Sequence, residues 1–223
     1  MQLYQQGTAE SLREARGKWQ EALKLWQQVD NKGWEATILN NIGLVYSDLG
    51  EKQEALKYFN QALPILRAVG DKQGEAVTLN NIGSVYNSLG EKQEALKYFN
   101  QALPITRAVG DREGEANTLY NIGAVYSDLG EKQEALKYYN QALPITRAVK
   151  YRTGEAATLN NIGLVYSDLG ENQEALKYFN QALPITRAVK YRTGEAATLT
   201  GIGSVYNSLG QDLRNWHSAI ANS

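Results

Sequence analysis

The sequence predicts an all-α fold, an α-solenoid of tandem helix-turn-helix repeats, and three observations carry that prediction. A block that begins at Glu35 returns at Glu75, Glu115 and Glu155, a constant step of 40 residues, so the chain is built from copies of one unit. Within each copy apolar residues recur at steps of three and four, the spacing of one face of an α-helix. No stretch shows the strict alternation that a half-buried strand requires.

Taken in order, residues 1–34 form a degenerate first repeat. Leu3 to Ala15 reads as a degenerate first helix, and Trp19, Leu23 and Trp26 as a shortened second one. Gly17–Gln28 aligns with Gly50–Gln61, and Val29 then stands where Ala62 is expected. The missing stretch, Ala62 to Ala68 in the full copy, is close to two turns, so the helical phase survives. Residues 35–74, 75–114, 115–154 and 155–194 are full repeats. In the first of them Ala36, Leu39, Ile42, Gly43, Tyr46 and Leu49 fall on one side of a helix. Gly50 sits where a left-handed C-terminal cap is wanted, and Glu51 with Glu54 puts negative charge in the next first turn. The second helix carries Ala55, Phe59, Ala62, Leu63, Leu66 and Val69. Pro64, Pro104, Pro144 and Pro184 lie inside second helices whose periodicity continues beyond them, so those helices are expected to bend without ending. Residues 195–223 are a partial repeat. Gly201–Leu209 supplies a first helix, and Gln211–Ser223 leaves the motif but keeps Leu213, Trp216 and Ile220 on one helix face, as a cap would.

Composition narrows the function classes. Lysine plus arginine is 23 against 24 acidic residues, a net charge of -1, which gives no general field for nucleic acid or an anionic membrane. There is no cysteine, which excludes disulfides and thiolate chemistry and points to a reducing compartment, with the cytoplasm as the expectation. The first residues lack a basic run followed by an apolar one, and no segment has the apolar length of a membrane span. The single histidine, His217, lies in the irregular tail, and the repeated carboxylates Glu51, Glu54, Glu91 and Glu94 sit in exposed first turns. No catalytic group, metal site or cofactor is expected.

Leu39, Ile42, Gly43, Tyr46, Ala55, Phe59 and Ala62 match the signature of the tetratricopeptide repeat in type and spacing. The set recurs at Leu79, Ile82, Gly83, Tyr86, Ala95, Phe99 and Ala102, and again in the next two copies. The long period and the internal prolines depart from the common repeat, and the long period resembles that of kinesin light chains, of GoLoco-binding polarity scaffolds and of bacterial arrays associated with CHAT domains. The resemblance implies a right-handed superhelix of about eleven helices with first helices on its concave face, and protein binding as the function.

By the same helical arithmetic, the face of the first helix opposite the core carries Thr37, Asn40, Asn41, Leu44 and Asp48. Its counterparts include Asn80, Asn81 and Ser84, then Tyr120, Asn121, Ala124 and Asp128, then Asn160, Asn161, Leu164 and Asp168. An asparagine donates and accepts, so this ladder is suited to pairing a peptide backbone, with Asn41, Asn81, Asn121 and Asn161 as its main rungs and Leu44, Ser84 and Leu164 shaping side-chain pockets. Asp48, Asp128 and Asp168 favour a neutral to mildly basic ligand. From Glu35 onward the first helices carry no lysine or arginine, which disfavours clamping an acidic C-terminus. The turns Lys150-Tyr151-Arg152 and Lys190-Tyr191-Arg192 read as solvated rather than as an anion patch. A monomeric scaffold is the leading expectation. The alternatives are a regulatory or sensor segment of a larger signalling protein, and an array that associates end to end.

Overall fold

The computed structural model describes residues 8–221, and side chains as far as residue 210. These residues form ten α-helices and no strand. They are α1 (Ala9–Gln28), α2 (Lys32–Asp48), α3 (Lys52–Val69), α4 (Lys72–Ser88) and α5 (Lys92–Ala108), followed by α6 (Arg112–Asp128), α7 (Lys132–Ala148), α8 (Arg152–Asp168), α9 (Asn172–Ala188) and α10 (Arg192–Ala221). The chain divides into two compact units, Met1–Gly114 and Glu115–Ser223.

The first helices begin at Lys32, Lys72, Arg112, Arg152 and Arg192, three residues before the expected start at Glu35 and its counterparts. They therefore do contain basic residues, in their first turns. Lys32, Lys72, Arg152 and Arg192 each pair with the glutamate three residues on. Three of those glutamates also take an arginine from the last turn of the preceding helix, Arg67 to Glu75 at 2.7 Å, Arg147 to Glu155 at 3.0 Å and Arg187 to Glu195 at 2.9 Å. Each arginine thus ties one repeat to the next.

Gly50 has φ 81°, and the Glu51 N–H reaches back to the Tyr46 carbonyl at 2.8 Å, closing the left-handed cap. The next helix therefore folds back at once on its partner. There Phe59 is fully buried, and a Cβ built on Gly43 would lie 2.5 Å from its ring. Glycine at this position is what allows the ring to sit between the helices. Tyr46 and Tyr58 stack beside it with centroids 5.2 Å apart, and Tyr86–Tyr98, Tyr126–Tyr138 and Tyr166–Tyr178 repeat the contact. In the first unit Leu56, Phe59 and Leu63 of α3 pack on Leu79, Ile82 and Val85 of α4. In the second, Leu136, Tyr139 and Leu143 of α7 pack on Leu159, Ile162 and Val165 of α8.

Helices α3, α5, α7 and α9 run unbroken through Pro64, Pro104, Pro144 and Pro184. The core is wider than expected, since Ile38, Val45 and Thr78 are also buried, and it stops sooner, since Val69 and Leu89 at helix ends are exposed. Both ends of the array differ from the expectation. Where two short helices were expected, Ala9–Gln28 is one helix, started by a Thr8 and Ser11 capping box; the expected Leu3 to Ala15 helix lies partly outside the described residues. At the other end α10 continues through Gly210 to Ala221. The side chains of Leu213, Trp216 and Ile220 are outside the described set.

Candidate ligand-binding cavities

In the second unit a cavity of about 440 Å³ opens between α6 and α8. Tyr120 comes from α6, Thr146 from the last turn of α7, Tyr151 from the residue before α8, and Tyr191 from the turn before α10. The positions of Tyr151 and Tyr191 follow from backbone geometry, because Lys150 and Lys190 before them adopt φ 57° and 56°. The Tyr151 ring lies over Gly154, where any Cβ would collide with it. Asn161 of α8 donates to the Tyr120 hydroxyl at 3.0 Å and to the Tyr139 hydroxyl at 3.3 Å. Burial pushes the pKa of both phenols upward, so they are neutral. Thr146 and Thr158 donate their hydroxyls to the Leu143 and Gly154 carbonyls at 2.8 and 2.7 Å. No charged side chain is among the lining residues.

The first unit holds the same cavity in another version. It has about 290 Å³ and is lined by Thr37, Asn40, Leu66, Asp71, Gln73, Gly74, Val77 and Thr78. Each of these has its counterpart, 80 residues on, in the wall of the larger cavity. Asn40 is replaced there by Tyr120, Leu66 by Thr146 and Asp71 by Tyr151. The smaller cavity is thus acidic, with Asp71 also capping α4 by accepting the Gly74 N–H at 2.9 Å.

Of the residues expected on the groove face, Thr37, Asn40 and Tyr120 line these cavities. Asn81 donates to Asn40 Oδ1 at 3.2 Å, and Asn161 to Tyr120, so each of these two amides bonds the preceding first helix. Asn80 donates to the Ala76 carbonyl at 3.2 Å, and Asn160 to Asn161 Oδ1 at 3.5 Å. Gly201 takes the place of an amide at the next junction, and among the described residues the buried Asn160 Oδ1 has no partner. Asn41 and Asn121 are half-buried, Leu44 is half-buried against the α3–α4 core, and Ser84 and Leu164 are exposed. Asp168, expected to attract a basic ligand, is paired with Lys132. The turns at Tyr151 and Tyr191, expected to be merely solvated, carry two walls of the larger cavity. The signal for them was Gly154 and Gly194, each three residues after its tyrosine.

The family's sequence profile matches residues 8–68, 74–148 and 154–213. The chain belongs to the tetratricopeptide repeat family. None of the curated proteins compared matches it in sequence. Among solved structures, BtubC (BKLC) from P. vanneervenii is similar at TM-score 0.77 and 16% identity, over 95% of this chain and 93% of that one. A Rap protein complexed with Competence and Sporulation Factor is similar at TM-score 0.76 and 16% identity, over 91% of this chain and 60% of that one. NprR in complex with its cognate peptide NprX is similar at TM-score 0.68 and 22% identity, over 93% of this chain and 59% of that one. At these identities the likeness establishes the fold. Among the described residues no helix is long and apolar enough to cross a membrane, and no group of three metal-ligating side chains is assembled.

Proposed function

We propose that this repeat array acts by binding an extended segment of a partner protein, with its cavities as anchor points for the segment's side chains. The observation that carries the proposal is the pair of equivalent cavities whose walls differ in residue type. A position kept in register while its chemistry changes, from Asn40, Leu66 and Asp71 to Tyr120, Thr146 and Tyr151, is how one scaffold reads a sequence of side chains. Asn41, Asn81, Asn121 and Asn161 and the four prolines repeat unchanged, whereas six of the eight residues lining the smaller cavity differ in the larger one. The Rap and NprR structures, which hold Competence and Sporulation Factor and a cognate peptide, support the reading.

In the first unit the proposed ligand is neutral to mildly basic, because Asp71 lines the cavity and no cation does. In the second, three tyrosines favour an uncharged apolar or aromatic side chain. Asn41, Leu44, Ser84, Asn121 and Leu164 surround these anchors in the proposal, while Asn81 and Asn161 fix the spacing of the helices that form the walls. The cysteine-free sequence fits a reducing compartment, and the cytoplasm is the proposed one.

The test is selection of a random displayed peptide library on the protein. A labelled selected peptide is then titrated against Tyr151→Asp and Asp71→Tyr. Exchange of the two lining residues should weaken binding tenfold or more. Selected peptides that bind both variants as they bind the parent would show that the cavities are not the site.

A further inference from the structure

The first and last described helices, α1 and α10, are complementary half-repeats. By sequence α10 is a first helix, aligned with α8 over residues 195–209, yet its inner face is bare. Leu159 is fully buried, whereas its counterpart Leu199 is 44% exposed, and Tyr206, the counterpart of the stacked Tyr166, is 60% exposed. Gly43, Gly83, Gly123 and Gly163 each receive an aromatic ring from the helix that follows. A Cβ on Gly203 meets nothing within 4 Å. Among the described residues no second helix supplies that ring, since α10 continues through Gly210, at the position where Gly50, Gly90, Gly130 and Gly170 turn the chain at φ 76–81°.

At the other end α1 is a second helix. Leu23 aligns with Leu56 and, like it, packs on the first helix that follows, beside Ala36 and Leu39. Among the described residues, the side of α1 that in full repeats meets its own first helix is uncovered. Leu25, aligned with Tyr58, is 62% exposed, and Val29, the C-cap residue at the place where Ala62 would stand, is 65% exposed. Trp26, aligned with the ring-bearing Phe59, is half-buried and stacks on Trp34 at 5.4 Å.

We propose that α1 of one copy docks as a second helix on the exposed face of α10 of another copy. The register of the internal repeats then sets Trp26 against Gly203, Leu25 against Tyr206 and Val29 against Leu199. Helix lengths agree with this occupant. α10 overruns Ser208, where a regular first helix ends, and α1 begins at Ala9, well before Trp19, the residue aligned with the start of α3. In an antiparallel pair in that register the two overhangs run alongside each other. Since the surfaces are different, the contact is head-to-tail and propagates from copy to copy.

Sedimentation from micromolar to millimolar concentration should show an average mass rising above the 24.8 kDa of the single chain. Two double variants, Leu25→Glu with Val29→Glu and Leu199→Glu with Tyr206→Glu, alter only exposed positions, and far-ultraviolet circular dichroism checks that each keeps its helices. Each variant alone should be monomeric. An equimolar mixture should form a dimer that grows no further, because one intact end remains on each. A parent that stays at the monomer mass throughout, or a mixture that fails to dimerise, would overturn the proposal.

Discussion

Replacing Asn161 by alanine removes the amide that bridges two buried phenols, and the structure sets the size of the effect. Asn161 donates to Tyr120 at 3.0 Å and to Tyr139 at 3.3 Å. Tyr139 is 1% exposed, so its hydroxyl loses a partner where water does not readily reach, at a cost of about 1–3 kcal/mol. Tyr120 borders the cavity and can recover its bond from solvent. Alanine offsets part of the loss through helix propensity, by up to about 0.7 kcal/mol. Tyr139→Phe removes the stranded hydroxyl, and phenylalanine already occupies the equivalent sites as Phe59, Phe99 and Phe179. The four proteins of this cycle, unfolded in urea and followed by circular dichroism, should give a coupling energy of about 1 kcal/mol or more, with the propensity term cancelling. A coupling below about 0.3 kcal/mol would refute the bridging role of Asn161.

Gly163→Ala places a Cβ 2.7 Å from the Phe179 ring and should lose about 1–3 kcal/mol of stability. Gly203→Ala, with open space around it, should show no such loss in the same denaturation assay. Lys150→Gly and Lys190→Gly relieve left-handed conformations that Gly70 and Gly110 occupy in the other repeats, and each should raise stability by about 1 kcal/mol; an unchanged or lower midpoint would show that the lysines are not strained. For Glu75, burial alone would raise the carboxyl pKa, but the hydrogen bonds from Lys72 and Arg67 outweigh it and hold it below the usual 4.5. A lowered pKa stabilises the fold above 4.5, and that contribution is lost as pH falls through the folded value. Stability measured from neutral pH downward should therefore drop on the acid side, and Glu75→Gln should flatten the drop.

The sequence by itself determined the helical repeat and its tight turns, which depend on a residue and its near neighbours. Helical periodicity, the left-handed turn at Gly50 and the ring of Phe59 against Gly43 were all legible, because steric limits and side-chain spacing act over a few residues and the repeat states them four times. The asparagine face was legible as a face, since helical phase alone places Asn40 beside Asn41. What only the tertiary structure decided was partnership between helices. Asn81 reaches Asn40 and Asn161 reaches Tyr120, Lys132 neutralises Asp168, and the tyrosines before α8 and α10 converge on Tyr120. Helices α1 and α10 overrun the boundaries that the motif suggested. Each of these depends on the offset at which one helix lies against another, and residues about 40 positions apart meet or miss according to packing that no local pattern encodes.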